Sequence, residues 1–286
     1  MSHQMQYIAE KEIKETNVPR IGVIGVGNMG AALVRGLVSS GKAMPNEIIV
    51  FDTDAAKMEN VRTDLGVITA NDAQNVARKA QEVLIIAVKP QIIGTVLETV
   101  SSAVSDGLLA ISIAAGISTD FLVSKLGEDK RIIRAMPNAA ALVGQSATAL
   151  CRAGKAGTED AARAIDLFGA VGIAVEVEEK MMNAVTALSG SGPAYLFVVM
   201  EALTDGAVLM GMDRPTARKL AVQTVLGAAT MAADEVRSFS ELKDTITSPG
   251  GTTIFGLKAL EARGVRGALM EAVADATERG EHLAGK

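Results

Sequence analysis

Three glycines near the start of the chain restrict what the surrounding residues can fold into. Ile21-Gly22-Val23-Ile24 is a short apolar run, Gly25-Val26-Gly27-Asn28-Met29-Gly30 follows in the spacing G-x-G-x-x-G, and Ala31-Ala32-Leu33-Val34-Arg35-Gly36-Leu37 continues with a helical pattern. Each glycine has a mechanical task. The first turns the chain out of a strand, the second lets the backbone touch a pyrophosphate, and the third lets the helix pack against the sheet. A second apolar run, Ile48-Ile49-Val50-Phe51, ends in Asp52, the acidic residue that such a unit sets against a ribose. The spacing alone is a weak signal. With a strand before it, a helix after it and an acid at the next strand end, it predicts a dinucleotide site formed by Gly25, Gly27, Asn28, Met29, Gly30 and Asp52.

The alternation continues. Strand-like runs at Val83–Val88, Leu108–Ile113, Ile132–Met136, Ala147–Leu150 and Ile173–Val177 are separated by helical segments. This predicts an α/β fold: a Rossmann-type, doubly wound, largely parallel sheet over residues 19–177, with cofactor across the carboxyl ends of its strands. The loops there are Ala87-Val88-Lys89-Pro90, Ala114-Ala115-Gly116 and Met136-Pro137-Asn138, which adds Ala87, Val88, Lys89 and Ala115 to the cofactor candidates. Lys89 has two readings, a stem or backbone lying along the cofactor and a solvated loop lysine. Asp52 accepts both ribose hydroxyls of NAD and repels the 2′-phosphate of NADP, so NADH is expected to be accepted well, with NADPH left open. The other reading of that turn makes Asp54 the helix cap and leaves Asp52 to solvent.

After Glu178 the strand signals stop, and helices are expected at roughly 178–188, 193–211, 214–234, 240–247, 252–263 and 266–284. Residues 178–286 therefore read as a second, all-α domain. The helix around Ala217, Leu220, Ala221, Val222, Val225 and Leu226 carries apolar or small residues on more than one face. A bundle this size does not readily bury them alone, so a homodimer through this domain is expected. One tightly packed bundle is the alternative.

Composition narrows the function classes. A formal charge of −5 and a pI near 5.3 offer no electrostatic footprint for nucleic acid. No uninterrupted apolar segment reaches the ~20 residues a bilayer requires, and residues 1–18 form a polar leader without a signal-peptide core. A cytoplasmic protein with no membrane partner is expected. Cys151 is the only cysteine, which excludes intrachain disulfides and cysteine-based metal clusters, and no metal is expected. The two histidines, His3 and His282, lie near the ends, where neither is well placed as an acid or base in a cleft.

A second glycine-rich tract, Ser248-Pro249-Gly250-Gly251-Thr252-Thr253, stands at the entrance to a helical pattern. Backbone amides freed by the glycines, together with the helix dipole, suit a small carboxylate there. The plainer reading is a turn followed by an ordinary helix capped by Thr252-Thr253.

Taken with Ala187-Leu188-Ser189-Gly190-Ser191-Gly192-Pro193-Ala194-Tyr195 and Gln223-Thr224-Val225-Leu226-Gly227-Ala228-Ala229, that tract closely resembles the pyrroline-5-carboxylate reductases of proline biosynthesis. The similarity runs from about Ile21 to the last helix and takes in Ala87-Val88-Lys89-Pro90-Gln91 and the Met136-Pro137-Asn138 turn. The resemblance implies hydride transfer from NADPH or NADH to a cyclic imine bearing a carboxylate, by protomers that form dimers or larger homo-oligomers. It implies that Gly250, Gly251, Thr252 and Thr253 hold the substrate carboxylate, that the Thr253 hydroxyl approaches the ring nitrogen, and that Glu179 lies near the substrate. It also implies that Asn71 touches the adenine ribose, although Asn71-Asp72-Ala73 reads equally as a helix start. Thr245 stands where many members carry asparagine, which puts its substrate contact in doubt.

Three rivals remain. A β-hydroxyacid dehydrogenase uses a lysine one turn beyond its glycine-rich tract, whereas Pro193-Ala194-Tyr195-Leu196-Phe197 has none. A ketol-acid reductoisomerase needs a cluster of acids for two metal ions, toward which Glu201 and Asp205 are the candidates. A non-catalytic dinucleotide-binding regulator would have no use for an intact carboxylate loop.

Overall fold

The computed structural model describes residues 19–233 and 236–284, so the leader at 1–18, with His3, lies outside the described residues. The chain divides into two compact units, Met1–Gly190 with Thr277–Lys286, and Ser191–Ala276.

The first unit holds strands β1 (Ile21–Ile24), β2 (Ile48–Phe51), β3 (Ile68–Thr69), β4 (Val83–Ile86), β5 (Leu109–Ser112), β6 (Arg131–Met136), β7 (Ser146–Gly154) and β8 (Gly172–Glu176). Their order across the sheet is β3-β2-β1-β4-β5-β6-β7-β8. Pairings are parallel except between β6 and β7. The first six follow the order of a dinucleotide-binding sheet, in which the connections reverse direction between β1 and β4. Between the strands run α1 (Asn28–Ser39), α2 (Ala55–Leu65), α3 (Ala73–Lys79), α4 (Pro90–Val100), α5 (Thr119–Leu126) and α6 (Thr158–Phe168).

Strand periodicity builds two cores. Val50, Val23, Ile85, Ile111 and Ile133 form one row across the sheet and share one cluster, whereas Ile49, Leu84, Ala110 and Ile132 point to the other face and join a second. A strand covered on both faces reads as continuously apolar, which is why these runs were visible in the sequence. Two features were not. Strand β3 has only Ile68 as an apolar residue, and β7 extends well past Ala147–Leu150 because it pairs along the whole of β6.

Beyond β8 a 3-10 turn (Glu179–Met181), the short helix α7 (Met182–Val185) and a π-turn (Thr186–Gly190) stay with the first unit. Met182 is buried against Ala149 and Cys151. By packing, residues 179–190 therefore belong to the first unit, and the second begins at Ser191.

The second unit contains α8 (Gly192–Leu209), α9 (Arg214–Ala232), α10 (Phe239–Thr245), α11 (Thr252–Ala262) and the start of α12 (Val265–Ala284). Small residues at Ala217 and Ala221 are buried on α9, while Leu196, Phe197, Val198, Leu203, Leu220 and Leu226 are 50–65% exposed.

The segment Glu179–Leu209 bears on the membrane expectation. It spans 31 residues, helical apart from a bend at Ser191, and an 18-residue stretch of it has a mean hydropathy of 1.3, long and apolar enough by length and composition to cross a bilayer. The sequence breaks this run between 188 and 193, and the structure has a bend there at Ser191; the π-turn carries the first part on to Gly190, and Pro193 falls in the first turn of α8, where the missing N–H costs nothing. Such a run is weak support for a membrane span, since core and interface helices have the same character.

Candidate active site

The glycine loop is held from the two strands that neighbour β1, namely β2 and β4. Gly25 donates its N–H to Phe51 O at 2.7 Å, and Ala87 donates to Ile24 O at 2.7 Å. Gly25 sits at φ +96°, and a Cβ there would stand 2.5 Å from Ala87 O; one on Gly30 would stand 2.0 Å from Gly25 O. Both positions admit glycine alone. Gly27 differs, because no protein atom comes within 4 Å of the space its Cβ would take. It is the N-cap of α1, with no side-chain cap and no acidic residue in the first turn. Helix amides facing open space suit a pyrophosphate. Asn28 is exposed beside them, and Met29 packs partly into the core.

Asp52 is not turned to solvent. Its Oδ2 accepts from Val26 N and its Oδ1 from Asp54 N, both at 2.9 Å, which ties the end of β2 to the glycine loop. Asp54 caps α2, accepting from Ala56 N at 3.0 Å and Lys57 N at 3.2 Å. Each Asp52 oxygen keeps a lone pair for a further donor. A cavity of about 460 Å³ opens here, lined by Phe51, Asp52, Thr53, Met58, Arg62 and Ala70 among others. Its one guanidinium, on Arg62, is held by Glu59 at 2.9 and 2.6 Å. Asn71 is exposed just beyond this cavity, and Asp72 rather than Asn71 caps α3, accepting from Asn75 N at 2.7 Å.

The carboxyl ends of β4, β5 and β6 present the other expected loops. Ala87 and Val88 are partly buried, and Lys89 is exposed at the N-cap of α4. Ala115 and Gly116 are exposed at the tip of the loop after β5, with Gly116 at φ +73°. Asn138 is committed to structure, its amide donating to Ser189 O at 2.9 Å and its backbone N–H to Ser146 Oγ at 3.1 Å.

Glu179 carries the least expected geometry. Its Oε1 accepts from Thr119 N at 2.7 Å and from Arg134 Nη1 at 2.9 Å, and its Oε2 accepts from the Thr119 hydroxyl. Thr119 and Arg134 were missed in the sequence. The available signal was Arg134 itself, a charge inside an apolar strand, which needs a partner when buried.

In the second unit, Gly251 N donates to Ser248 O at 3.1 Å, closing a turn with Pro249 and Gly250 at its centre. Gly250 has φ +70°, the left-handed backbone that the third residue of a type II turn demands. The N-cap of α11 is Gly251, so Thr252 and Thr253 lie inside the first turn rather than capping it. With no side-chain cap and no acidic residue in that turn, the amides of α11, like those of α1, suit an anion. Thr253 is half-buried, and Thr252 is exposed. The Thr245 hydroxyl donates to Leu242 O at 2.6 Å, a local bond that closes its own turn.

Among the described residues no group of three or more His, Cys, Asp or Glu is placed to hold a metal ion. Asp205 pairs instead with Arg214 at 2.7 Å. Burial pushes the Cys151 thiol up to about 11, helped by the nearby Glu179 charge, so it is an inert core group.

Known proteins resemble this chain over most of its length. Residues 179–283 match the family described as pyrroline-5-carboxylate reductase dimerisation, and residues 20–116 match NADP oxidoreductase coenzyme F420-dependent. A pyrroline-5-carboxylate reductase of Methanosarcina acetivorans is 44% identical over 93% of this chain and 98% of its own length. The structure of a pyrroline-5-carboxylate reductase from Coxiella burnetii superposes with a TM-score of 0.89 at 37% identity, covering 93% of this chain and 99% of that one. A Plasmodium falciparum pyrroline carboxylate reductase with NADP bound gives 0.80 at 30% identity, covering 94% and 99%.

Proposed function

The chain belongs to the pyrroline-5-carboxylate reductase family and reduces the cyclic imine 1-pyrroline-5-carboxylate to proline with a nicotinamide coenzyme; we propose how its residues divide that work. The observation that carries the assignment is the uncapped N-terminus of α11 behind the Gly250 turn, a built carboxylate site in a chain that also keeps the dinucleotide loop. Gly250, Gly251, Thr252 and Thr253 hold the substrate carboxylate with backbone amides and hydroxyls. Thr245 precedes this tract at the end of α10, and its hydroxyl is engaged by Leu242 O.

Gly25, Gly27 and Gly30 shape the pyrophosphate cradle, with Asn28 and Met29 in the first turn of α1. Asp52 and Asn71 take the adenosine side, and Ala87, Val88, Lys89 and Ala115 take the nicotinamide side. When bound, the reduced nicotinamide supplies the hydride for the imine carbon. The chain needs no strong acid, since an imine nitrogen collects its proton from water or a hydroxyl network near neutral pH. The Thr253 hydroxyl orients and polarises that nitrogen. Holding the reactants in near-attack geometry contributes up to about 7–11 kcal/mol in favourable cases.

NADH is the better coenzyme on this reading. The Asp52 carboxylate at the cavity floor accepts ribose hydroxyls, and Arg62 is neutralised by Glu59, so no unpaired guanidinium of this cavity awaits a 2′-phosphate. A dimerisation match that starts at residue 179 supports a functional boundary at 177/178 and assembly of this chain with copies of itself. The reading places the enzyme in the cytoplasm and calls for neither nucleic acid nor membrane.

The test is oxidation of NADH and of NADPH by the purified protein in the presence of 1-pyrroline-5-carboxylate. Turnover is expected with both, with kcat/KM higher for NADH. A hundredfold preference for NADPH would overturn the role given to Asp52, and cofactor binding without imine-dependent oxidation would favour the regulator.

A further inference from the structure

We propose that Glu179 is a positioning residue for the nicotinamide end of the coenzyme, acting through Thr119 on the loop that follows β5. The proposal rests on the assignment of Ala115 to the cofactor site. Residues 114–118 leave the carboxyl end of β5 and enter α5 at Thr119. The near end of this loop is fixed, since Ile113 donates to Ile86 O of β4 at 3.1 Å. The far end is fixed twice. Ser118 caps α5 by accepting from Phe121 N at 3.2 Å, and Glu179 grips Thr119 through both its backbone N–H and its hydroxyl.

A two-point grip does what one cap does not. Ser118 satisfies an amide further along the helix, leaving Thr119 N, an orphan donor of the first turn, for the Glu179 carboxylate. The bonds to N–H and hydroxyl together set both the position and the rotation of Thr119. The exposed tip at Ala115 and Gly116 is thus suspended between two fixed ends, and its backbone can be held at a set distance from a ligand lying over β4 and β5.

Arg134 is what keeps Glu179 in place. Its side chain is only 8% exposed and reaches Glu179 Oε1 at 2.9 Å. A buried guanidinium stripped of its carboxylate is strongly unfavourable, so the pair cannot separate without disturbing β6. Glu179 is therefore ill suited to meet the substrate directly, because its oxygens already accept three donors and the substrate is itself an anion.

The experiment compares two ligands that differ only at the nicotinamide end. NADH and ADP-ribose are titrated by calorimetry into the full-length wild-type protein and into T119V, T119S and E179Q, alongside steady-state kinetics. In T119V, NADH binding should weaken about tenfold, the scale of one lost hydrogen bond to a charged group. ADP-ribose binding and the KM for the imine should stay within about twofold, and the KM for NADH should rise. T119S, which keeps the hydroxyl, should restore NADH binding, and E179Q should act in the same direction as T119V. Equal weakening of NADH and ADP-ribose, or no weakening of either, would overturn the proposal, as would a T119S protein as impaired as T119V. Should the wild type bind NADH without oxidising it against the imine, the functional assignment fails, whereas the ligand comparison still decides whether Glu179 positions the loop.

Discussion

The two compact units dispose of their apolar residues in opposite ways. In the first, every residue of β1, β4 and β5 is buried, and helices cover both faces of the sheet. In the second, the buried apolar residues among those described are Ala217, Ala221 and Leu242, while Phe197, Leu226 and Phe255 are 65%, 56% and 68% exposed. One unit completes its own core. The other exposes far more apolar surface than a monomer normally tolerates, as expected of a surface built for another copy of the chain. Its stability is then inseparable from protomer concentration, whereas that of the sheet is not.

The largest expected effect attacks this difference directly. Replacing Leu226 with lysine puts a charge on the open face of α9, and an uncompensated charge in a closed interface costs about 3–5 kcal/mol. Sedimentation should show monomers, and turnover should fall by about two orders of magnitude or more. Coenzyme binding, measured by calorimetry, should change by less than about threefold, because the cradle belongs to the first unit. A monomeric variant with full turnover would break the comparison.

The same contrast explains what could be read from the sequence. Strands buried on both faces announce themselves as unbroken apolar runs, so the strand ends of β1 and β2 fell where the sequence placed them. Helices framed by glycine, proline and serine were equally legible, down to α11 starting at Thr252. What escaped was partnership at a distance. Nothing near Glu179 in sequence points to Thr119 or Arg134, which lie 60 and 45 positions away. The Val26 N–H that fixes Asp52 was hidden for the same reason, since it comes from another loop. The π-turn at Thr186–Gly190 was hidden too, because nothing in those residue types marks the change from α to π bonding.

Within the first unit, two glycines of one loop separate packing from binding. A methyl at Gly30 meets Gly25 O at 2.0 Å, so Gly30→Ala must push α1 off the sheet. Overpacking of this kind costs about 1–3 kcal/mol, and coenzyme affinity should drop about a hundredfold with a clear fall in Tm. A methyl at Gly27 meets no protein atom, so Gly27→Ala should keep its Tm within about 2 °C. It should still weaken coenzyme about tenfold, because the space it fills is where the pyrophosphate approaches. Equal loss of Tm in both variants would show that the cradle is not open.

The matching change in the second unit is Thr253→Ala. This residue is half-buried in the first turn of α11, a helix with no fully buried residue. Turnover should fall about tenfold, as one oriented hydroxyl is worth about 1–2 kcal/mol, while dimerisation and Tm stay unchanged. A rise in imine KM at constant kcat would instead assign the hydroxyl to the carboxylate.

The smallest effect lies at the end of the sheet away from the coenzyme, where Arg20 precedes β1 and Glu82 precedes β4. Arg20 Nε and Nη2 donate to Glu82 Oε1 and Oε2 at 3.0 and 3.2 Å, and Arg163 adds a bond at 3.3 Å. The Arg20 hydrogen bonds hold the Glu82 carboxyl below its ordinary value of 4.5. A folded-state value depressed in this way stabilises the protein above the unfolded value, and that contribution is lost as pH falls through the folded one. The Glu82 carboxylate shifts Arg20 further upward, so it stays charged across this window. With side chains 43% and 33% exposed, the pair is worth only about 0.5–1 kcal/mol. Urea unfolding should therefore find Glu82→Gln less stable than wild type by that amount at pH 7 and pH 5.5, with the gap narrowing below about pH 4.5. The deficit should not depend on protein concentration, in contrast to that of the Leu226 variant, because the bonds close inside a unit that already has its core. A concentration-dependent deficit would mean that the sheet, too, leans on the partner copy.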